Sequence, residues 1–339
     1  MTLAALPSDR SADRPGPAGA PAPAAAYGAL ATMPVFFGLS FAATKVALRG
    51  FNPFLLAASR FTCAGLILLL IWLLRGNRER LSRHDLRRLA LLGLISLTVY
   101  FAFETTGIAR TTASAASILI ATIPIFVSVL SAMFLREHIV PGQWAGVLVS
   151  VAGVVALVVL GGEVEGGSLV GNLLVLAAAV SAAVYEIMAR RLFVGPDPDP
   201  GGSEASGDAA RGRLHSPLAV TAFQNLFGAL FMAPLALGEA LFAGVRRPTA
   251  EAGLGAAYLV LFCSVLAYLL LNYGLSHVQA SKASTFTNLT PIVAVAGAFL
   301  ILGERFTRWQ AMAAVVVVIG VWLANRRQVA EKTVLGPEG

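Results

Sequence analysis

Residues 107–156 read GIARTTASAASILIATIPIFVSVLSAMFLREHIVPGQWAGVLVSVAGVVA, and residues 274–323 read GLSHVQASKASTFTNLTPIVAVAGAFLILGERFTRWQAMAAVVVVIGVWL. A shift of 167 positions lays the first stretch on the second without a gap. The identical pairs include Gly107 with Gly274, Pro124 with Pro291, Glu137 with Glu304, Gln143 with Gln310, and Gly153 with Gly320. A self-match of this length indicates two homologous halves, and in a membrane such halves usually flank a translocation path.

The composition around this repeat is that of an integral membrane protein. Hydrophobic residues make up 57% of the chain and charged residues 13%, against roughly 45–50% and about 25% in soluble domains. A spanning helix needs about 20 apolar residues. The sequence therefore predicts an all-α protein with ten transmembrane helices, at about 28–48, 54–74, 88–108, 112–135, 142–161, 169–191, 217–238, 253–275, 280–302 and 308–325.

The Arg and Lys residues that give the net charge of +7 lie mainly in the loops and tails outside these segments. If the N-terminus is cytoplasmic, sixteen Arg and Lys residues lie in cytoplasmic loops and tails, and six lie in the opposite loops: Arg49, Arg110, Arg246, Arg247, Arg305 and Arg308. Cytoplasmic loops of membrane proteins carry an excess of Lys and Arg. We therefore expect both termini in the cytoplasm of a bacterial cell, a multi-pass protein of the inner membrane with the lipid bilayer as its surroundings, and no nucleic-acid partner.

Counting the segments gives the domain organisation. Five helices in each half is an odd number, so the second half enters the membrane from the opposite face and the repeats are inverted. The predicted repeats are 27–161 and 167–325, the second containing a flexible loop at 195–216. Residues 1–26 and 326–339 are predicted to be unstructured tails, since such segments hold too few apolar residues to bury a core.

Several short motifs within these halves resemble the EamA family of the drug/metabolite transporter superfamily. They are Ala57-Ala58-Ser59-Arg60-Phe61, Ala113 to Ser117 with Pro124-Ile125, Arg136-Glu137-His138 with Gln143-Trp144, Pro291-Ile292, and Gly303-Glu304-Arg305 with Trp309-Gln310. The resemblance covers about 27–325. It implies a ten-helix carrier with a central cavity that moves small metabolites by alternating access, often outward.

Enzyme and cofactor classes find little support in the sequence. Cys63 and Cys263 fall inside apolar segments, and the four histidines lack ligand spacing, so we predict no metal site and no cofactor. No phosphate-binding G-x-x-x-x-G-K-[ST] motif is present. An intramembrane enzyme would need a nucleophile with its base, or metal ligands, at depth, and no His or Asp lies inside a predicted span.

Two prolines mark matching positions in the fourth and ninth segments. Pro124 and Pro291 have no amide hydrogen, so the carbonyls of Ile120 and Thr287 lose their helical partners. Interruptions at matching places in two halves are the best sequence indication of a midplane site. A kink that only shapes packing is the alternative interpretation, and a kinked helix can also act as a gate.

Polar residues near these prolines are candidates for binding substrate. Thr287 and Asn288 lie beside Pro291, and Asn288 is the strongest candidate for ligand contact, with an interhelical hydrogen bond as the alternative. The fourth segment keeps only Thr122, so we expect hydrogen-bonding groups mainly from the second half. Tyr268 and Asn272 are four residues apart on one helix face, where they would line a cavity.

Ionisable residues inside the segments are costly and point to function. Glu104 follows Tyr100 by one helical turn, and this carboxylate is predicted to receive an amine or carry a coupling proton. The alternative is an interfacial residue that is paired with Arg110 or hydrated at the lipid headgroups. Arg60 lies about 10 Å into the second segment, where it is a gating or coupling candidate unless its long stem carries the charge outward.

Three further ionisable residues are candidates for gating or coupling. Lys45 and Glu186 occupy equivalent places when the first segment is aligned on the sixth, although a helical ion pair with Arg190 also explains Glu186. Lys282 starts the ninth segment and either draws anionic groups or extends to the membrane surface.

The sequence thus predicts a secondary transporter that exports small metabolites, amino acids or related compounds, across the cytoplasmic membrane, with proton coupling as one route. An importer or a nucleotide-sugar or lipid carrier of the same superfamily is the runner-up, followed by a channel or a scaffold. The substrate, the direction, the coupling ion and the oligomeric state are not fixed by the sequence.

Overall fold

A computed structural model of the chain describes residues 24–75, 81–135, 141–161, 168–194, 216–277, 286, 289–305 and 307–334, which contain helices and no strand. We label the helices α1 to α10 in chain order. They are α1 Ala24–Ala47, α2 Pro53–Leu74, α3 Arg83–Arg110, α4 in two parts (Ala113–Ile120 and Ile123–Leu135), α5 Pro141–Gly161, α6 Leu169–Val194, α7 Pro217–Ala243, α8 Ala250–His277, α9 Thr290–Leu302 and α10 Arg308–Val334.

Six stretches among the described residues are long and apolar enough to cross a membrane: Ala24–Ala47, Pro53–Leu74, Arg83–Arg110, Ala113–Leu130, Pro217–Ala243 and Ala250–Gly274. Four shorter apolar stretches of 10–17 residues lie in α5, α6, α9 and α10. Every predicted segment overlaps one of these helices. The four shorter stretches fall below spanning length, so the total of ten spans stays a prediction.

Helix ends follow local sequence signals. The hydroxyls of Ser82, Thr112, Ser216 and Thr249 each accept a hydrogen bond from the backbone N–H three residues later, which caps α3, α4, α7 and α8. Such caps satisfy N–H groups that have no partner inside the helix. Only 48–52 separate α1 from α2, yet the two helices do not pack along each other, since α1 packs on α8 and α9 and α2 packs on α7.

α10 differs from its predicted end. The helix continues to Val334, nine residues into the segment predicted as an unstructured tail (326–334 of 326–339). Residues 326–334 contain no Gly or Pro, and these are the residues that most strongly end helices. The first Gly after Asn325 is Gly336.

α4 is broken near its proline. Its first part ends at Ile120, a turn occupies Ala121 and Thr122, and the second part begins at Ile123, directly before Pro124. Pro291 lies in the first turn of the described part of α9, where proline is well tolerated. The predicted portion of the ninth segment before Leu289 lies almost wholly outside the described residues.

α3 and α8 share a second irregularity. Each contains a stretch of π-helix, Leu94–Val99 in α3 and Leu259–Ala267 in α8. The shift of 167 carries 94–99 onto 261–266, inside the second stretch. π-Helical turns change which side chains face inward and are frequent at functional sites.

The packing of the helices follows the duplication. α2 packs on α7 and α5 packs on α10, and these are the most extensive contacts in the molecule. α1 packs on α8 and α9, while α6 packs on α3 and α4. Exchanging every helix for the one five positions away in the chain turns α1–α8 into α6–α3 and α1–α9 into α6–α4, and it leaves α2–α7 and α5–α10 unchanged. α4 also contacts α9, which the same exchange leaves unchanged.

Matched glycines allow the close crossing of α5 with α10. A Cβ on Gly153 of α5 would lie 2.7 Å from the backbone nitrogen of Val317 in α10, and a Cβ on Gly320 would meet the backbone of Ser150 in α5. The shift of 167 relates Gly153 to Gly320 and Ser150 to Val317. Small residues let helix backbones approach closely where dispersion, not hydrophobicity, drives association.

Gly320→Ala and Gly153→Ala should each destabilise the protein by about 1–3 kcal/mol, because the added methyl group meets backbone that cannot move aside. Gly238→Ala in α7 is the matched control, since no atom lies within 4 Å of its Cβ position. Thermal unfolding in detergent, followed by intrinsic fluorescence, measures the difference. Equal melting temperatures for Gly320→Ala and Gly238→Ala would contradict the α5–α10 crossing.

Candidate functional site

At one end of the helix bundle, side chains form hydrogen bonds with backbone groups of helix ends and loops. The Glu239 carboxylate in α7 accepts hydrogen bonds from the backbone N–H groups of Phe54 (2.9 Å) and Leu55 (3.1 Å) at the start of α2. Asn52 donates to the Gly244 carbonyl over 3.1 Å and accepts from the Arg246 backbone N–H over 3.2 Å. The two contacts of Asn52 join the α1–α2 turn to the α7–α8 loop, and those of Glu239 join α2 to α7. The hydrogen bonds therefore hold α2 and α7 together at this end.

Glu304 closes the same end from the α9–α10 loop. Its carboxylate accepts from Ala113 N (2.9 Å), Ser114 N (3.0 Å) and Ser114 Oγ (2.7 Å), which caps α4. A carboxylate at a helix N-terminus is stabilised by the unpaired N–H groups and the helix dipole. Glu304 therefore fixes a loop and a helix start, as the sequence indicates, and Ser114 bonds across helices.

Lys45 joins α1 to the end of α3. Its Nζ donates to the carbonyl of Ile108 over 2.8 Å and also to the carbonyl of Thr111. Thr111 Oγ1 in turn donates to Asn172 Oδ1 of α6 over 2.5 Å. A half-buried ammonium that bonds terminal carbonyls holds these three helices together. The position of Lys45 at a closed end agrees with a gating role, which stays a prediction.

A cluster of buried polar and aromatic side chains, which we call the chamber, lies deeper, between α1, α2, α3 and α8. Arg60 of α2 is 5% exposed, and its Nε donates to Ser264 Oγ of α8 over 2.6 Å. Its guanidinium carbon lies 4.7 Å from the ring centre of Phe101 and 5.4 Å from that of Phe61, which is within cation–π range. Arg60 therefore turns into the bundle, and the alternative that it extends to the membrane surface is wrong.

Glu104 of α3 belongs to the same chamber. It is 6% exposed, and Tyr100 Oη donates to its Oε1 over 2.9 Å. No ion pair within 4 Å joins Glu104 to Arg110 or to Arg60, so the alternative of an interfacial pair with Arg110 is wrong. Arg60 and Glu104 still act on each other electrostatically. The chamber thus holds one cation and one anion that are not neutralised by direct contact.

Tyr268 of α8 packs against the aromatic cluster around Phe61 and Phe101 and meets Phe37 of α1 edge-on, with ring centres 5.4 Å apart. Asn272, one turn further, donates to Thr221 Oγ1 of α7 over 2.6 Å. Its amide is therefore engaged in an interhelical hydrogen bond. The predicted face of Tyr268 and Asn272 is present, but only Tyr268 reaches the chamber.

A second polar region lies between α3 and α7. Gln224 donates to Ser96 Oγ over 2.7 Å, and Thr98 donates to the Gly228 carbonyl over 3.2 Å. Ser96 and Thr98 belong to the π-helical stretch of α3, whereas Ser264 belongs to that of α8. The π-helical stretches of α3 and α8 therefore both supply hydroxyl groups to polar contacts between helices.

The remaining predicted site residues are distributed as follows. Thr122 is buried, and its hydroxyl donates to the Leu119 carbonyl. It therefore gives a hydrogen-bond donor to a carbonyl beside the break in α4. Thr287, Asn288 and Lys282 lie outside the described residues, as does the side chain of Glu186. Their predicted roles, and those of Pro124 and Pro291 as gates, are not tested by this structure.

Sequence reasoning missed Ser264 and Phe101, and it named Phe61 only as part of a motif that resembles the family. A signal for Ser264 was present, because Ser264, Tyr268 and Asn272 follow one another at spacings of four along one helix face. No local pattern marked Phe101 among the 19 phenylalanines in the chain. Among the described residues, no three His, Cys, Asp or Glu side chains lie close enough together to hold a metal ion.

Comparisons with known proteins identify relatives along almost the whole chain. The profile of the EamA-like transporter family matches residues 25–159 and 209–326. An uncharacterized transporter of Bacillus subtilis, YcxC, is 31% identical over 307 residues, covering 88% of this chain and 92% of the relative. A probable terminal-alkyne amino-acid exporter of Streptantibioticus cattleyicolor is 28% identical over 304 residues, covering 90% and 94%.

Two further comparisons concern location and fold. An uncharacterized inner membrane transporter of Escherichia coli, YedA, is 26% identical over 305 residues, covering 88% of this chain and 90% of the relative. A solved crystal structure superposes with a TM-score of 0.60 at 20% sequence identity, covering 94% of this chain and 100% of that chain. The latter likeness shows a shared fold.

Glu304→Ala should lower the free energy of unfolding by about 1–2 kcal/mol, because two backbone N–H groups at the start of α4 lose their acceptor. Glu251→Ala is the control, since that exposed carboxylate forms only a 3.6 Å surface ion pair with Arg49 and such pairs contribute little. Unfolding in detergent by heat or denaturant measures both variants. A Glu304→Ala protein as stable as Glu251→Ala would refute the capping role.

Proposed function

This chain belongs to the EamA-like transporter family, and on that basis we propose that it is a secondary transporter exporting small metabolites across the cytoplasmic membrane by alternating access. Amino acids and related compounds are the proposed substrates. The relative named as a probable terminal-alkyne amino-acid exporter supports this class and this direction. The inner membrane transporter among the relatives supports the location.

The observation that carries this proposal is the buried pair of opposite charges, Arg60 and Glu104. An ionisable side chain at the centre of a membrane costs about 2.5–3.5 kcal/mol on insertion scales. Neither charge is cancelled by direct contact with the other, so packing alone does not account for them. A zwitterion such as an amino acid carries the complementary pair of charges.

The proposed mechanism depends on two inverted five-helix repeats. The exchange of every helix with the one five positions away, which preserves the observed packing pairs, supports this organisation. The chamber combines α1, α2 and α3 of the first repeat with α8 of the second. Side chains from both repeats therefore surround any molecule in it, as rocking of one repeat against the other requires.

Alternating access also requires that one end closes while the other opens. The contacts of Lys45, Glu304, Asn52 and Glu239 link the helices at one end, and this supports the proposal that they close it. We propose that this end is extracellular and that both termini are cytoplasmic, in keeping with the distribution of Arg and Lys. Release of substrate to the outside then requires these hydrogen bonds to break together.

We further propose that Glu104 couples transport to protons. Its carboxylate has one hydrogen-bond donor among the described residues, Tyr100, and lies beside the chamber that receives substrate. A proton and a substrate ammonium group would compete for this carboxylate. Binding of one would then favour release of the other, which is the thermodynamic basis of exchange.

Glu104→Gln should abolish amino-acid flux driven by a pH gradient in proteoliposomes and weaken substrate affinity by about tenfold or more, since a charge-assisted hydrogen bond is lost. Glu251→Gln, which changes an exposed carboxylate, should transport like the wild type. Radiolabelled uptake and counter-exchange measure both. Saturable counter-exchange supports a carrier, and linear, non-saturating flux would instead establish a channel.

Asn288→Ala should also weaken substrate affinity, by roughly tenfold if its amide contacts the ligand. Because Asn288 lies outside the described residues, the expectation comes from the sequence. Direction is measured in cells, where overproduction should lower the internal amino-acid concentration and raise tolerance to toxic analogues. Normal transport by both Asn288→Ala and Glu104→Gln would refute the proposed site, and higher internal concentrations would refute export.

A further inference from the structure

A cleft of about 280 Å³ lies between α2 and α8, beside Arg60. Its lining residues are Phe51, Ser59, Arg60, Cys63, Ala256, Ala257 and Val260. Cys63 and Ala257 are exposed on the outer surface of the bundle. The cleft therefore opens sideways between two helices, towards the hydrocarbon in a membrane.

Arg60 is the charged residue of this cleft. Its side chain can donate five hydrogen bonds, and among the described residues the guanidinium makes one, from Nε to Ser264. The four donors on its terminal nitrogens have no acceptor there. An arginine that is 5% exposed and keeps most of its donors unused is costly unless a ligand supplies the acceptors.

The geometry of a guanidinium selects the ligand. Its terminal nitrogens match the two oxygens of a carboxylate in a bidentate pair. The other walls of the cleft are apolar apart from the hydroxyl of Ser59 and the thiol of Cys63. Such walls complement a hydrocarbon group attached to that carboxylate. The volume is just below the common range for ligand sites of about 300–1,000 Å³, so the ligand is small.

We propose that this cleft binds a small amphiphilic carboxylate, such as an apolar amino acid, whose carboxylate contacts Arg60 while its apolar group lies between Phe51 and Val260. This site would supply a substrate class for the proposed function. It rests on that function only for the claim that the bound ligand is also the transported molecule. The sideways opening gives such a molecule a route from the membrane to the chamber.

Depth argues for a free carboxylate as the ligand. Arg60 is seven residues beyond Pro53, the first residue of α2, which places it about 10 Å below that helix end. A phospholipid phosphate stays in the headgroup region outside the hydrocarbon. A small carboxylate, in contrast, fits wholly inside the cleft.

Cys63 provides a direct measure of occupancy. It lines the cleft and is exposed, whereas the other cysteine, Cys263, is fully buried. The experiment measures the rate at which N-ethylmaleimide modifies Cys63 of the full chain in phosphatidylcholine nanodiscs. The probes are hexanoate, hexanol and hexylammonium, which share a chain and differ in charge. Cys63→Ala gives the background rate.

Hexanoate should protect Cys63 at concentrations about tenfold lower than hexanol or hexylammonium need, because only the carboxylate pairs with Arg60. Arg60→Gln should raise the protecting concentration of hexanoate by about tenfold or more, and Arg60→Lys should restore part of the effect. Arg110→Gln, at an exposed arginine, is the matched control. The comparison of the three probes in the unmodified protein holds even if Arg60→Gln fails to fold.

Three results would overturn the inference. Equal protection by the three probes would make the cleft a purely apolar groove. Protection by phosphatidylglycerol, added to the nanodiscs without hexanoate, would identify a lipid headgroup as the ligand. Protection by hexanoate that Arg60→Gln leaves unchanged would exclude the guanidinium. Labelling needs no transport, so a protein that binds hexanoate but shows no saturable flux refutes the proposed function and leaves the carboxylate site intact.

Discussion

Hydrocarbon offers no hydrogen-bond partner to a backbone N–H or carbonyl group, so the ends and breaks of membrane helices must find partners within the chain. The Glu304 carboxylate on the start of α4 and the Glu239 carboxylate on the start of α2 meet this requirement for N–H groups. Lys45 meets it for the carbonyls at the end of α3. These partners come from distant parts of the sequence, so the same contacts that complete the helices also assemble the bundle.

The close crossings of α5 with α10 and of α2 with α7 impose a second condition. Association inside a membrane draws on dispersion forces, which need short distances and therefore small residues at the contact. Gly153 and Gly320 meet this condition in related ways. Gly65 of α2 faces Leu226, and Gly228 of α7 faces Leu97. The other helices that border the chamber, α1, α3 and α8, pack less extensively on their neighbours.

Arg60 connects the two regions on which the functional proposals rest. Its guanidinium lies over Phe101 within the chamber, and its side chain also lines the cleft between α2 and α8. Ser264 fixes its orientation from the π-helical stretch of α8. A carboxylate bound in the cleft would therefore lie next to the chamber that contains Glu104. A shift of α8 would change the access of that carboxylate to the cleft and to the chamber.

The sequence by itself determined the helical class, the internal sequence match and the short α1–α2 turn. It also identified Arg60, Glu104 and Lys45 as candidate functional residues. These features depend on local composition, on spacing along one helix, or on a comparison of the chain with itself. The tertiary structure decided which groups those charges meet: Ser264 for Arg60, Tyr100 but not Arg110 for Glu104, and the carbonyls of Ile108 and Thr111 for Lys45. Except for Tyr100 and Glu104, which are four residues apart on one helix, such partners depend on which helices pack side by side. Periodicity within a single segment cannot encode that choice, because it is set by the sum of all the contacts in the bundle.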